Sequence, residues 1–284
     1  MAAITAHADL TTLLASCSME ITARDCEARA VALDRMPKGS EIFVADLPDQ
    51  PPELILEAVV ALRRGGLEPV PHLVARNFRS RADFDGFLAS LAGDAQVTRA
   101  FVTGGDREEP RGPFNSAIDL LETGLLAPHG LRHLAFACYP GGHPRISLEV
   151  LDAALRSKLS IASERGFETS LVSQFAFDAP PVLAMLRQFR TSGIEASLRL
   201  GTAGPNARDV LVNQSRELGI GDSLSRIARG DGSDRVTPEP YLLPLAQALA
   251  QEPALGISGA HLFAFGQTTA SMNWVAAQRE AARA

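Results

Sequence analysis

Eight short apolar segments alternate along the chain with stretches of helical periodicity, and nearly every one runs into a polar or glycine-rich cluster. They are SCSMEITARD (16–25), SEIFVADLPD (40–49), EPVPHLVAR (68–76), TRAFVTGGD (98–106), HLAFACYPGGHP (133–144), TSLVSQFAFD (169–178), ASLRLGTAG (196–204) and AHLFAFGQ (260–267). Between them the spacing predicts helices over 26–36, 52–65, 79–92, 115–127, 147–165, 180–192, 206–218, 221–230, 239–251 and 269–283. Prolines 51, 52, 180 and 181 fall at helix starts, where a missing N–H does no harm, and Gly65, Gly166 and Gly193 follow helix ends. Eight strand–helix units are the number that closes an α/β (β/α)8 TIM barrel, here with extra helices before the eighth strand. An open doubly wound sheet is the competing architecture, but it wants a glycine-rich turn after its first strand, and SMEITARD has no glycine.

Composition narrows the class. No linker or charge run divides the 284 residues, so 1–284 reads as one catalytic barrel domain. A net charge of −6 argues against nucleic acid as a partner. The N-terminal stretch MAAITAHADLTTLLA lacks the basic start and long apolar run of a signal peptide, and no segment is apolar enough to span a membrane. Three cysteines at no metal-ligand spacing suit a reducing cytoplasm, and the expected partners are small molecules, with homo-oligomers left open.

In a barrel the chemistry sits at the C-terminal ends of the strands. Glu20 lies in an apolar first strand, where a carboxylate is either paired, for instance with Arg24 or a lysine, or has a raised pKa suited to proton donation. His72, inside the third strand, reads either as a site residue or as a core histidine bonded to a backbone carbonyl. Gly104 and Gly105 permit a sharp turn before Asp106, which accepts hydrogen bonds from a ligand or caps the turn. Tyr139 and His143 form the densest polar cluster, after the fifth strand, with no second metal ligand nearby. Gln174 carries both donor and acceptor for an amide-like ring edge, and strand alternation turns Phe175 and Phe177 to the face opposite it. No G-x-S-x-G, P-loop, H-E-x-x-H or C-x-x-C is present, which leaves a cofactor-dependent reaction on a planar ligand as the best-supported chemistry. An aldolase-type barrel would need a Schiff-base lysine at a strand end, and none stands there.

Taken in order, these features resemble the methylenetetrahydrofolate reductase family. The series is a first-strand glutamate, P-H-L at His72, G-D at 105–106, Y-P-x-x-H-P at 139–144 and Q-x-x-F-D at 174–178, over roughly residues 16–277. The resemblance implies a flavin-dependent barrel that interconverts 5,10-methylene- and 5-methyltetrahydrofolate with NAD(P)H. It implies that Glu20 is the general acid and that Asp106 stabilises positive charge near flavin and pterin. His72, Gly105, Asp106, Ser116, Ala117, Tyr139, His143 and Lys158 would contact FAD, while Glu20, Gln174, Phe177 and Gln267 would meet the folate. The chain departs from the family at the second strand end, where ADLPDQPP replaces a Thr-Tyr-Gly-Ala-like run, and at the eighth, where the usual arginine is missing and Gln267 and Trp274 lie nearby. Those departures keep open a flavin-independent, folate-binding homologue that serves as a subunit in one-carbon metabolism.

Overall fold

A computed structural model of the chain describes residues 10–217 and 234–281; the helix expected at 221–230 lies outside them. Eight strands form a closed barrel: β1 (Ser18–Thr22), β2 (Glu41–Ala45), β3 (Glu68–Val74), β4 (Arg99–Thr103), β5 (His133–Cys138), β6 (Glu168–Ser173), β7 (Ser197–Ala203) and β8 (Ile257–Phe263), in the order β1-β8-β7-β6-β5-β4-β3-β2. The helices are α1 (Cys26–Arg35), α2 (Pro52–Arg64), α3 (Arg81–Asp94), α4 (Ala117–Glu122), α5 (Leu148–Glu164), α6 (Ala179–Thr191), α7 (Arg208–Glu217), α8 (Glu239–Gln251) and α9 (Thr268–Ala281). The (β/α)8 reading is correct, and α7 and α8 are the extra helical excursion before β8. The start of the helix expected at 206–218 is instead a small antiparallel ribbon, Asn206–Ala207 against Arg235–Val236.

Two compact units emerge from the packing. One comprises Glu20–Ala137 and Ala153–Leu171 (the Glu20 unit); the other comprises Met1–Met19, Cys138–Asp152 and Val172–Ala284 (the Gln174 unit).

Within the Glu20 unit the register sorts the strands into two faces. His72 pairs with Phe101, Arg99 with His133, Phe101 with Ala135 and Phe43 with Val70. In-register residues share a face, so the other face carries Ile42, Val44, Leu73, Ala100, Val102, Leu134 and Phe136, all essentially inaccessible. That apolar face is the one the helices cover, and the inner face is mixed. Near the strand starts it holds an Arg99–Glu41 pair at 3.2 Å and His133 bonded to Ser170 at 2.7 Å. Burial holds the His133 imidazole below its usual pKa.

Prolines 69 and 71 lie inside β3, a barrel strand with neighbours on both sides. They withhold two ladder donors, and the β3–β4 pairing accordingly begins only at His72.

The Gln174 unit has a separate aromatic core in which Phe175 meets Phe177, Phe263 and Phe265 at centroid distances of 5.7, 5.7 and 5.0 Å. Residues 10–15 are helical and bury Leu10, Leu13 and Leu14. Arg279 of α9 donates to the Leu14 carbonyl at 2.6 Å and ties that segment down.

Close strand approach is set by Gly201 in β7. A Cβ there would lie 2.1 Å from the Ser173 carbonyl oxygen and 3.0 Å from that of Gln174. We predict that Gly201→Ala destabilises the fold by about 1–3 kcal/mol, measured by chemical denaturation, because it overpacks the β6 exit that carries Gln174. A wild-type denaturation midpoint would refute this account of the β6–β7 contact.

Candidate functional site

Glu20 and His72 come together inside the Glu20 unit. Glu20 Oε2 lies 3.4 Å from His72 Nε2, with the two side chains 26% and 11% exposed. The imidazole is tilted against Phe101 at 4.7 Å and meets the edge of Phe43 at 6.3 Å. Strand geometry accounts for the encounter, since β1, β2, β3 and β4 are successive neighbours and their inward residues converge. Of the partners considered for Glu20, Arg24 is engaged elsewhere, donating to the Asp49 carbonyl at 3.4 Å. His72 proves to be an aromatic-packed histidine facing a carboxylate. A half-exposed acid touching an imidazole on a dry wall can hold a proton and pass it to a bound ligand.

The end of β2, where the family pattern is lost, is occupied by a polar network that sequence reasoning did not anticipate. Asn77 donates to Asp46 at 2.8 Å, Arg107 donates to the Asn77 side-chain oxygen at 2.9 Å, and Arg107 also donates to Asp49 at 2.7 Å. The guanidinium holds the Asp49 carboxyl below the usual carboxylate range. Burial pushes Asp46 up to about 6, against the hydrogen bond from Asn77 and the charges of Arg107 and Arg111. Asp49 adopts φ 61°, a left-handed conformation that its short polar side chain tolerates. The two carboxylates thus serve first to lock the exits of β2, β3 and β4 to one another. The signal that could have found the network was the excess of Asp, Asn and Arg immediately after three successive strands.

Gly105 has φ 97°, and a Cβ on it would lie 2.4 Å from Val74 Cγ1, so only glycine fits beside the end of β3. Asp106 follows, exposed and making no hydrogen bond among the described residues.

Ser116 and Ala117 stand at the start of α4, as expected, but the helix is short. The N–H groups of Asn115 and Ser116, just before it, both donate to Asp119 Oδ2, at 2.6 and 3.0 Å, in a capping box. The expectation for Lys158 is corrected. The side chain projects from α5 onto the outer face of β5, with Nζ 5.3 Å above the Phe136 ring, and not toward a strand end.

In the Gln174 unit, Tyr139 and His143 form an edge-to-face pair at 5.3 Å. The Gly142 N–H bonded to the Tyr139 carbonyl and the Arg145 N–H bonded to His143 Nδ1 fix that turn. Gln174 lies just past β6; its backbone N–H donates to the Cys138 carbonyl, and its side-chain oxygen accepts from the Phe175 N–H at 3.0 Å. Phe175 is a core residue, and Phe177 packs on it with one side toward solvent. Gln267 is exposed at the start of α9, accepting from Ser271 through its carbonyl. Trp274 instead packs between α8 and α9, where its indole donates to Glu239. A pair that the sequence did not mark, Ser18 and His261 at 2.8 Å, joins β1 to β8 and is fully buried.

Among the described residues no helix is long and apolar enough to cross a membrane, and no group of His, Cys, Asp and Glu is arranged to hold a metal. These features define the class: a closed (β/α)8 barrel with a carboxylate–imidazole couple on its inner wall. Its fold is similar to that of the GH18 chitinase ChiB from Flavobacterium johnsoniae, with a TM-score of 0.51 at 8% identity over 93% of each chain. Dihydropteroate synthase from Thermus thermophilus aligns with a TM-score of 0.47 at 13% identity, over 93% of this chain and 92% of that one. Thiamine phosphate pyrophosphorylase from Pyrococcus furiosus aligns with a TM-score of 0.44 at 13% identity, over 98% and 97%. At such identities the likeness is one of fold. No protein-family profile matches the chain.

The raised Asp46 pKa has a signed consequence. Between about pH 4 and about pH 6 the folded protein binds more protons than the unfolded chain, so this group's contribution to stability is lost as pH rises through that window. Asp46→Asn should therefore stabilise the protein by about 1–3 kcal/mol at about pH 7.5, with most of the gain gone at about pH 4.5. Denaturation at the two pH values measures this, and an equal effect at both would contradict it.

Proposed function

We propose that this chain is an oxidoreductase of the methylenetetrahydrofolate reductase type. It would interconvert 5,10-methylene- and 5-methyltetrahydrofolate in the cytoplasm, with NAD(P)H as reductant and FAD as cofactor. The observation that carries this reading is the Glu20–His72 couple, because the reaction needs one positioned acid beside a flat, largely apolar wall, and Phe43 and Phe101 supply such a wall around it. In the reductive direction Glu20 delivers a proton to N10 of the folate as the N10–methylene bond breaks. The methylene carbon then accepts a hydride that originates on NAD(P)H. His72 holds the Glu20 carboxyl in place and relays the proton that restores it. Asp106, without a hydrogen bond of its own among the described residues, is suited to balance the positive charge that develops on the opened ring.

FAD, when bound, would carry the hydride between the two substrates. The residues fit its ring better than its phosphates. Gly105 allows close backbone approach, and His72 offers a polar aromatic edge. Lys158, by contrast, is spent on a contact within the protein. That shortfall, with the locked β2 exit, favours the second reading: the same folate chemistry or binding without a flavin.

Purified full-length protein should show the visible absorbance of a bound flavin, or acquire it on incubation with FAD. A preparation that stays colourless and takes up no FAD would move the assignment to the flavin-independent homologue. Glu20→Gln should slow the folate half-reaction by about 100-fold or more while NAD(P)H oxidation continues, since a positioned general acid contributes roughly that much. Equal rates for wild type and variant in the folate half would remove Glu20 from the chemistry.

A further inference from the structure

Outside the inner wall, a second feature of the Glu20 unit has the character of a binding site. A cleft of about 760 Å³ opens between α2 and α3 beside the exits of β2 and β3. That is the size range of pockets for small organic ligands. None of the residues so far assigned to folate or flavin lines it.

Gln50 carries the argument. It is only 6% exposed and lines this cleft, and neither its side-chain oxygen nor its side-chain nitrogen has a hydrogen-bond partner among the described residues. A buried amide left unpaired costs roughly 1–3 kcal/mol for each unsatisfied group. The segment that places it there is stiff: Pro48, Pro51 and Pro52 surround it, Asp49 is pinned by Arg107, and the Gln50 N–H is bonded to the Leu47 carbonyl. The amide is therefore held in position at a cost, buried in the wall of the cleft. Asp46 stands on the same lining; its Oδ2 accepts from Asn77, and Oδ1 has no partner among the described residues. Phe78 and Phe87 supply an apolar side.

At the mouth the chemistry changes sign. Arg79 and Arg111 are both exposed there, and neither guanidinium makes a hydrogen bond among the described residues. They are neighbours because Gly112 lets the loop after β4 lie directly on the loop after β3: a Cβ on Gly112 would sit 2.3 Å from the Arg79 carbonyl oxygen. The Arg111 N–H bonded to the Arg76 carbonyl at 3.0 Å fastens the two loops. Exposed guanidinium groups that make no hydrogen bond suit a phosphate, although Arg111 also acts on the charges of Asp46 and Asp49.

We propose that this cleft binds a guanine-type mononucleotide, with the lactam edge of the base on Gln50 and Asp46 and the phosphate on Arg79 and Arg111. The carboxylate complements the adjacent ring N–H and amino donors of such a base, and the Gln50 amide nitrogen complements its carbonyl. Adenine, which has no lactam, cannot satisfy both.

Isothermal titration of the full-length protein with guanosine 5′-monophosphate, adenosine 5′-monophosphate and inorganic phosphate tests this. The guanine nucleotide should bind saturably at one site, about tenfold or more tighter than the adenine nucleotide or phosphate. Gln50→Leu and Arg111→Ala should each weaken it by about tenfold or more, whereas Glu20→Gln should leave it unchanged, which keeps the outcome separate from the folate reading. Gln50→Leu removes an unpartnered amide and should fold at least as well as wild type, and the exposed Arg111 supplies an independent variant. Absence of binding, equal affinity for the adenine nucleotide or phosphate, or indifference to both variants would overturn the proposal.

Discussion

An inward-facing carboxylate on a parallel strand gives up much of its hydration, and here the Glu20–His72 contact answers that cost. The same constraint recurs along the inner face. Glu41 is answered by Arg99, His133 by Ser170 and Ser18 by His261. Polar positions on this face are thus paired from strand to strand, while the outer face is left to Ile, Val, Leu and Phe under the helices. His72 depends on its surroundings in turn. The aromatic rings of Phe43 and Phe101 hold the imidazole, and the strand that bears it joins β4 only beyond its two prolines.

The exit of β2 shows a different use of charge. Asp46, Asn77, Arg107 and Asp49 bond three successive strand exits into one rigid rim. Where the resembled family presents small polar groups to a flavin, this chain has side chains that are largely committed to one another. The rim also leaves Gln50 buried without a partner and two guanidinium groups open at the adjoining cleft. Rigidity on one side of the loop and unmet polarity on the other come from the same proline-rich segment.

Much of the fold could be read from the chain, because each strand is a short, largely apolar run followed by a polar or glycine-rich cluster. Local chemistry also set the limits of that reading. The fourth helix is shorter than its apolar pattern suggests because Thr123 and Gly124, with φ 72°, close it after six residues. Phe175 and Phe177 lie beyond the end of β6 at Ser173, and their rings still meet in one cluster. Glu20, His72, Gly105, Tyr139 and His143 stand at or near strand ends as expected. What periodicity could not reveal was which distant group each would meet. Lys158 illustrates this: nothing in its spacing says that the helix turns it onto Phe136. The pairing of Asp49 with Arg107 and the isolation of Gln50 likewise follow from how three loops pack, which local sequence does not encode.

The account rests on the inner wall around Glu20 and His72 being a site of folate reduction. Mass spectrometric analysis of the products formed by the full-length protein from 5,10-methylenetetrahydrofolate and NAD(P)H, with FAD supplied, addresses this directly. The account predicts 5-methyltetrahydrofolate in amounts that track NAD(P)H consumed, and its loss when His72 is replaced by alanine in a protein that still folds. Unchanged substrate with the wild-type protein, or undiminished product with that variant, would contradict it.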